Sequence, residues 1–212
     1  MKRIGFILAL ITVFIGQQGF EFSRRKPTQL FDGTTFNGWE GDTLKTWKIE
    51  NGAIAGGSLS ETVPHNEFLC TKKSYADFVL KLKFKLENNG GFVNAGVQFR
   101  SQRATKPVYE MVGYQADLGP KYWASLYDES RRDKTLIGPD STLIDKILKP
   151  GQWNDYEIKA IKNHIEIRLN GKKTVDYVEP DAAIPQKGII GLQVHGGGKV
   201  LVSYKDIWIQ SY

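Results

Sequence analysis

Cysteine and methionine are almost absent from this chain of 212 residues, which holds one cysteine and two methionines. A lone cysteine, Cys70, cannot form a disulfide within the chain, so the core must stabilise the fold. We interpret Cys70 as a small buried residue in a strand, since no obvious histidine partner accompanies it. Glycine, with 22 residues, and aromatic residues, at 12%, are plentiful, which favours strands and turns over a helical bundle.

The sequence also lacks the short motifs of several large enzyme classes. No GxSxG, P-loop or dinucleotide-binding glycine pattern occurs, which excludes the commonest hydrolase, NTPase and dehydrogenase architectures. The three histidines, His65, His164 and His195, are far apart, and no HExxH, CxxC or EF-hand spacing is present. We therefore predict no cofactor and no motif-based metal site, and we interpret His65 and His164 as bystanders.

The net charge of +6 belongs to one end of the chain. Residues 1–26 hold five basic residues and one acidic residue, so from Pro27 onward 24 basic residues face 22 acidic ones. A domain with nearly balanced charge offers no basic groove for a phosphate backbone, so we predict no nucleic-acid partner.

The beginning of the chain has the pattern of an export signal. Lys2 and Arg3 precede the uncharged run Ile4–Ile15, whose 12 residues are too few to span a bilayer but suit a secretory hydrophobic region. No Ala-x-Ala cleavage pattern follows, so residues 1–22 are interpreted as a signal peptide or a retained N-terminal anchor. We predict a secreted or periplasmic bacterial protein, with no stable membrane insertion after cleavage and with residues 23–212 as one domain.

Alternation of apolar and polar residues predicts an all-β domain. In Tyr75–Glu87 five apolar residues alternate with mostly basic ones, which is the period of a half-buried strand. A turn is predicted at Asn88–Gly91 and another strand at Asn94–Arg100. The Asn170-Gly171 pair between two alternating runs predicts a type I′ hairpin. Further strands are predicted at 108–117, 123–128, 153–161, 164–170, 172–177, 188–195 and 199–209.

Strands this short and this numerous predict two packed antiparallel sheets, because one open sheet could not bury so much apolar surface. One turn of helix is predicted within Ser141–Leu148, and the Gly196–Gly198 run is interpreted as a hairpin turn.

Polar residues on well-formed strands are the first candidates for a site. Gln98 and Arg100 share a face of one strand, as Gln193 and His195 do on another. Glycines on the same faces would let a ligand approach the sheet. Ordinary solvent exposure of these side chains is the alternative.

The segment Tyr109–Arg132 is the densest in aromatic residues and carboxylates. Aromatic rings stack on the C–H faces of sugars while carboxylates and amides bind hydroxyls, so this mixture favours a carbohydrate ligand. Two carboxylates such as Glu110 and Asp128 could also hydrolyse a glycoside, one as the acid and the other as the nucleophile or base. The alternative is that the aromatic residues belong to the core and the carboxylates to the solvated surface.

An ordered set of motifs extends the argument. It includes LFDGTTFNGWEG, WKIENGAIAG, NAGVQFR, YEMVGYQADLG, SLYDESRR, GQWNDYEI, IRLNGKK and GIIGLQVHGGGKVLVSYKDIWI. From Leu30 to Gln210 this set resembles the 3-keto-disaccharide hydrolase family, long known as a domain of unknown function in exported bacterial proteins. The resemblance implies a concanavalin-like β-jelly-roll sandwich, in part similar to laminin-G-like domains, with a ligand groove over one sheet.

The resemblance also implies chemistry on sugars already oxidised at C3. Abstraction of the C2 proton would give an enolate, the glycosidic oxygen would leave C1 by β-elimination, and water would add afterwards. An upstream sugar 3-oxidoreductase is then the implied pathway partner, and a 3-keto-glycoside the implied carbohydrate substrate.

By this resemblance His195, Glu110 and Arg100 are the implied catalytic residues. His195 is the base or acid, Glu110 its complement, and Arg100 the stabiliser of the enolate oxygen, although these roles could be exchanged. A divalent metal bound by Glu110, Asp128 or His195 could replace the arginine. The implied substrate-binding residues are Gln98, Gln115, Asp117, Trp123, Tyr127, Asp128 and Gln193, with Trp123 as the stacking platform.

Two alternatives to an enzyme stay open. The same fold could serve as a non-catalytic carbohydrate-binding module, since concanavalin-like sandwiches often bind sugars without reacting with them. It could also be a structural or adhesion domain of laminin-G type.

Overall fold

A computed structural model describes residues 26–212, so the predicted export segment lies outside the described residues. Within residues 26–212 no helix is long and apolar enough to cross a membrane.

The described chain contains fifteen strands and one helix. The strands of the N-terminal half are β1 (Thr28–Gln29), β2 (Trp39–Glu40), β3 (Trp47–Glu50), β4 (Ala53–Gly57), β5 (Glu67–Thr71), β6 (Phe78–Gly91) and β7 (Ala95–Arg103). They are followed by β8 (Met111–Leu118), β9 (Leu126–Glu129), β10 (Lys134–Ile137) and the helix α1 (Ser141–Ile147). The last strands are β11 (Asn154–Ile161), β12 (His164–Leu169), β13 (Lys172–Val178), β14 (Ile189–Val194) and β15 (Gly198–Ser211).

These strands form two antiparallel sheets. The first sheet has the order β13-β12-β11-β6-β15-β4-β3, with β1 also paired to β15. The second sheet has the order β10-β9-β8-β7-β14-β5-β2. The predicted all-β sandwich of two antiparallel sheets is therefore confirmed.

The core lies between the two sheets, where each strand turns its apolar alternate residues inward. Phe78, Leu80 and Phe84 of β6 face Val97 and Phe99 of β7 in one cluster of buried side chains. On the second sheet the residues between these core positions must point away from the first sheet. This outward-pointing surface is called the outer face below.

The Asn170-Gly171 hairpin is confirmed in its chemistry. Both residues have positive φ, 48° at Asn170 and 79° at Gly171, as a type I′ turn requires.

The predicted helical turn is the seven-residue α1, which begins after Asp140. The Asp140 side chain accepts a hydrogen bond from the backbone N–H of Thr142 (2.7 Å) and so caps the helix.

Two turn predictions were wrong. Asn88–Gly91 continues β6, because Gly91 pairs with Gly198 across a backbone approach too close for a side chain. The Gly196–Gly198 run does not close a hairpin, since β14 and β15 belong to different sheets and this segment crosses between them.

Cys70 is the small buried residue that its context predicts. It lies in β5 with no exposed surface, and burial raises the pKa of its thiol to about 11.

Candidate functional site

A row of amide and carboxylate side chains crosses the outer face. Gln98 of β7 lies directly opposite Gln115 of β8, and Asp117 lies opposite Gly96. Tyr127 of β9 in turn lies opposite Gln115. The strand register thus brings residues from three strands to one surface.

Hydrogen bonds fix this row. The Gln98 Nε2 donates to Gln115 Oε1 (3.1 Å), and the Gln115 Nε2 donates to Asp117 Oδ1 (3.3 Å). The same Asp117 oxygen accepts from the Asn94 Nδ2 (2.7 Å) and from the backbone N–H of Leu118 (3.1 Å). Three donors on one oxygen hold the Asp117 carboxyl in a single orientation.

Gly96 makes room for the row. A Cβ at this position would lie 2.6 Å from the Gln115 Cδ, so the Gln115 side chain lies directly over the glycine. The space above Gly96 is therefore filled by the protein itself and does not admit a ligand, contrary to the sequence expectation.

A cleft of about 120 Å³ opens at the end of this row. Its lining residues are Phe92, Asn94, Gln115, Asp117, Tyr122, Tyr127, Glu129 and His195.

Two carboxyl groups of the cleft have strongly raised pKa values. Burial raises the pKa of Asp117 from 3.8 to about 7, against the opposing effect of its hydrogen-bond donors. Burial, reinforced by the charges of Glu110 and Asp117, raises the pKa of Glu129 from 4.5 to about 8. At neutral pH Glu129 is therefore mostly protonated and can donate a proton.

His195 lies at the edge of the cleft with its tautomer determined by a neighbour. Its Nδ1 is 2.7 Å from the carbonyl oxygen of Gly196, which can only accept a hydrogen bond. The Nδ1 therefore carries a proton, and in the neutral ring the Nε2 is left with a lone pair. Such a nitrogen can accept a proton from a substrate.

Glu110 lies beside the cleft and does not line it. Its Oε1 accepts a hydrogen bond from the Asn66 Nδ2 (2.9 Å), while its Oε2 is buried without a hydrogen-bond partner in the described structure. Glu110 affects the cleft electrostatically, because its negative charge helps to raise the pKa of Glu129.

Gln193 is on the outer face but is fully buried, between Phe68 of β5 and Gly96 of β7 in the strand register. Neither its Nε2 nor its Oε1 has a hydrogen-bond partner within residues 26–212. Gln98 is equally buried, and its side chain donates a hydrogen bond to Gln115 on the neighbouring strand. These two predicted sugar-binding residues contact the cleft only through their neighbours.

Arg100 does not lie in the cleft, which corrects its implied role as enolate stabiliser. Its guanidinium donates to the carbonyl oxygens of Ala76 (2.9 Å) and Lys162 (2.5 Å) and to the carboxylate of Asp77 (3.0 Å). The cause is a bulge in β7, where Arg100 has a φ of 48° and the pairing with β8 shifts register. The bulge interrupts the alternation that would have placed Arg100 beside Gln98.

Asp128 and Trp123 are also placed elsewhere. Asp128 is fully buried and holds the guanidinium groups of Arg131 and Arg132, so it is not free to bind a sugar. Trp123 packs on Phe84 of the first sheet with ring centroids 6.3 Å apart, and is therefore not the stacking platform of the cleft.

Several cleft residues were missed by sequence reasoning: Phe92, Asn94, Tyr122 and Glu129. A signal for Glu129 was present, since Leu126 is an evident core residue and strict alternation turns Tyr127 and Glu129 to the opposite face. The same alternation turns Asp128 inward.

No group of three or more His, Cys, Asp or Glu side chains in residues 26–212 is placed to hold a metal ion. Of the three alternative ligands Glu110, Asp128 and His195, Asp128 lies on the inner side of β9, where Arg131 and Arg132 occupy its carboxylate.

The raised pKa of Asp117 predicts a pH-dependent stability. Asp117 holds its proton in the folded state from about pH 4 to about pH 7, where the unfolded chain has lost it, so stability falls as pH rises through this window. The slope is at most about 1.4 kcal/mol per pH unit. Urea unfolding at about pH 5 and about pH 7 should show that Asp117→Asn reduces this fall.

The control is Asp206→Asn, which removes an exposed carboxylate of the first sheet. It should follow the wild-type pH dependence. Parallel curves for Asp117→Asn and the wild type would contradict the prediction.

Sequence comparison identifies relatives of the chain. The model of a family described as the 3-keto-alpha-glucoside-1,2-lyase-like domain matches residues 26–210. A 3-keto-disaccharide hydrolase of Bacteroides thetaiotaomicron is 26% identical over 174 residues, which cover 70% of this chain and 57% of that protein. The chain thus spans little more than half the length of this relative.

Solved structures with low sequence identity share the fold. A proposed glycosyl hydrolase of Parabacteroides distasonis is 22% identical, with a TM-score of 0.64 over 88% of this chain and 94% of that one. A carbohydrate-binding module of Bacillus subtilis is 17% identical, with a TM-score of 0.60 over 82% and 96%. A Bacillus subtilis protein with a galectin-like fold is 10% identical, with a TM-score of 0.65 over 89% and 96%.

Proposed function

The chain belongs to the family of 3-keto-alpha-glucoside-1,2-lyase-like domains, and from this premise we propose that it cleaves the glycosidic bond of 3-keto-glycosides in the cleft of the outer face. One observation carries the proposal. The cleft combines a histidine whose Nε2 can accept a proton with a carboxyl group, Glu129, whose pKa of about 8 keeps it protonated at neutral pH. A base and an acid in one small cleft are what β-elimination requires.

The reaction begins at C2 of the sugar, where the neighbouring C3 ketone makes the proton acidic. A base removes this proton, the electron pair forms the C1=C2 double bond through an enolate, and the C1–O bond breaks. The departing oxygen takes a proton from the acid. Water then adds across C1=C2, with its hydroxyl on C1 and its proton on C2, so the net reaction is hydrolysis.

The cleft residues take these roles in the proposal. His195 Nε2 removes the C2 proton, and Glu129, in place of the implied Glu110, protonates the departing oxygen. Glu110 acts through its charge, which favours the protonated form of Glu129. The proposal thus places the complement of His195 on β9, one strand later in the chain than Glu110.

The enolate oxygen needs a hydrogen-bond donor other than Arg100, because Arg100 lies outside the cleft. Burial, with nearby carboxylates, raises the pKa of Tyr127 to about 12, so its hydroxyl stays protonated and can donate a hydrogen bond to the enolate. Asp117, Asn94 and Gln115 then bind the sugar hydroxyls with their fixed carboxyl and amide groups.

Two further expectations accompany this function. A ketone at C3 must be supplied by oxidation of a secondary alcohol of the sugar, so an upstream sugar 3-oxidoreductase is the proposed pathway partner. Export through residues 1–22 to the periplasm or the cell exterior is the proposed location.

A carbohydrate-binding module is the second candidate function. The observation that favours it is the shared fold with the carbohydrate-binding module of Bacillus subtilis. In that case the cleft binds sugars without turnover.

Product release from 3-keto sugars tests the proposal. The purified protein is mixed with 3-keto-trehalose or 3-keto-lactose and with the parent disaccharides, and free monosaccharide is followed with time. We expect release from the keto sugars alone, because the parent sugars have no acidic C2 proton. Binding of the sugars without release would identify a carbohydrate-binding module.

The same assay with a chelator tests the electrophile. Equal rates with and without chelator are expected if Tyr127 stabilises the enolate. Loss of the rate on chelation, with recovery on addition of a divalent metal, would assign that role to a bound metal instead.

A further inference from the structure

The hairpin formed by β7 and β8 bends before its end. In β7 the bulge at Arg100 shifts the register with β8, and a bulge bends the strand that carries it. On β8, Gly113 has a φ of 144°, and a Cβ there would lie 2.7 Å from the Ser101 Cα, so this position requires glycine. Residues 102–112, the part of the hairpin beyond the bend, are called the flap.

The flap contacts strands that are not its neighbours in the sheet. The Arg103 Nη2 donates to the carbonyl oxygen of Glu40 in β2 (3.3 Å). The Glu110 Oε1 accepts from the Nδ2 of Asn66, which directly precedes β5 (2.9 Å). In the sheet, β14 and β5 separate β7 from β2, and the inner face is filled by the core. The flap therefore crosses the outer face above β14 and β5.

Two apolar contacts hold the flap on this face. The Met111 Sδ lies 3.8 Å from the Sγ of Cys70 in β5, and Met111, Cys70 and Phe68 form a buried cluster separate from the main core. The Tyr109 ring stacks on His65, with ring centroids 4.3 Å apart and an interplanar angle of 17°. The flap is thus fastened by a small cluster and one ring stack.

Gln193 of β14 lies beneath the flap with its amide unpaired. Its strand partner on β5 is Phe68, which stands between Asn66 and Cys70, the two residues on which the flap rests. Gln193 is fully buried, and neither its Nε2 nor its Oε1 has a hydrogen-bond partner within residues 26–212. Because buried polar groups are almost always hydrogen-bonded, an amide without either bond has a functional reason to be there.

The cleft beside His195 is small for a disaccharide. Its volume is about 120 Å³, whereas ligand pockets measure roughly 300–1,000 Å³. Gln193 precedes His195 by two residues, a distance of about 7 Å along an extended chain. Gln115, which lines the cleft, lies over Gly96, the strand partner of Gln193. The wall of the cleft therefore adjoins Gln193.

We propose that Gln193 is the binding residue of a second sugar subsite and that the flap rises to admit the sugar. This inference rests on the proposed function, which places the 3-keto ring in the cleft. The amide of Gln193 is uncharged and can both donate and accept a hydrogen bond, as a sugar hydroxyl does. The ring of Phe68 beside it offers a surface for the C–H face of a sugar. The second ring of a disaccharide then lies beneath the flap.

Cys70 reports on the flap, because it is the only cysteine of the chain and its thiol lies against Met111. Its reaction with the thiol reagent DTNB is followed at fixed pH in the native protein, at urea concentrations below the unfolding transition. We expect a rate nearly independent of urea, since a local opening exposes little surface. Tyr109→Ala, which removes the stack on His65, should raise the rate about fivefold.

Trp208→Ala is the matched control for Tyr109→Ala. Trp208 is an aromatic residue of similar exposure, 41% against 40% for Tyr109, but it lies on β15 of the first sheet. It should leave the labelling rate as in the wild type. A rate that rises with urea as steeply as global unfolding does, or an unchanged rate in Tyr109→Ala, would overturn the moving flap.

Gln193→Leu tests the subsite without turnover. Leucine fills a similar volume, and Gln193 has no hydrogen bond to lose, so the unfolding free energy in urea should be unchanged or higher. By calorimetry, trehalose should bind the variant about fivefold more weakly than the wild type, while methyl α-glucoside binds both equally.

Gln98→Leu is the contrasting variant. The Gln98 side chain is equally buried, but it donates to Gln115 (3.1 Å) and accepts from the Ser101 hydroxyl (2.8 Å), so its loss should lower the unfolding free energy. An equal loss of stability in Gln193→Leu would assign Gln193 a structural role and overturn the subsite. Unchanged affinity for trehalose, equal losses for both sugars, or no binding of trehalose would overturn it as well.

These measurements separate the inference from the proposed function, because thiol labelling, unfolding and calorimetry need no cleavage. Absence of monosaccharide release from every 3-keto sugar would refute the proposed function alone.

Discussion

Replacing His195 by glutamine should lower kcat for a 3-keto-disaccharide by about 10²- to 10⁴-fold, which is the range that one general base contributes. Glutamine keeps a side chain of similar length, but it has no nitrogen that can accept a proton. The fold should survive, because His195 is only partly buried and its backbone N–H bond to the Asn94 carbonyl oxygen is retained. Initial rates at saturating substrate, with circular dichroism as the check on folding, provide the measurement.

His164→Gln is the matched control for this variant. His164 lies at the start of β12 in the first sheet, where its Nε2 contacts Asp176 (2.6 Å), far from the outer face in the strand order. It should retain the wild-type rate. A His195→Gln enzyme that kept its rate would remove the histidine from the mechanism.

The pH profile extends the same experiment to Glu129. The protonated form of Glu129 is the active one in the proposal, so the wild-type rate should fall as pH rises through about 8. Glu129→Gln should abolish this alkaline limb together with most of the rate. A limb that persisted in the residual activity of the variant would assign it to another group.

Replacing Arg100 by alanine should cost about 3 kcal/mol of unfolding free energy and leave the chemistry intact. Its side chain is 1% exposed and joins β7 of the second sheet to Asp77 and the Lys162 turn of the first. Removal of the guanidinium takes one donor from the Asp77 carboxylate, which keeps the backbone N–H of Lys162 (2.8 Å), and one donor from each of the two carbonyl oxygens. Urea unfolding and the kcat of the folded protein are the two measurements.

Arg168→Ala is the control for lost charge. Arg168 is 37% exposed and pairs with Glu157 and Glu166 on the surface of the first sheet, so its loss should cost less than about 1 kcal/mol. If Arg100→Ala abolished turnover without loss of stability, Arg100 would have to reach the substrate, and a purely structural role for this arginine would be wrong.

The sequence predicted the sandwich well because alternation survives in most of its strands. Tyr75–Glu87 and Asn94–Arg100 correspond to β6 and β7, and Asn170-Gly171 has the turn chemistry it requires. The short strands near the N-terminus, such as β2 with two residues, were missed because a strand of two residues is too short to show an alternation of apolar and polar residues.

The candidate site was predicted only in part, and the reasons are local. Gln98, Gln115, Asp117, Tyr127 and Gln193 do lie on the outer face, since each is an alternate residue of a regular strand. Arg100 was misplaced because a bulge reverses its side, and nothing in the letters Phe-Arg-Ser marks that bulge. The contact of His65 with Tyr109 joins residues far apart in the chain, so no local pattern could reveal it.

The position of β15 has a consequence for how this chain acquires its structure. Strand β15, which contains residues 198–211, pairs with β1, β4 and β6, so the middle of the first sheet is completed by its last strand. The pairings of β15 with β4 and β6 join residues far apart in the chain, and such distant pairings close slowly. The first sheet can therefore become continuous from β3 to β13 only after residues 198–211 have been synthesised.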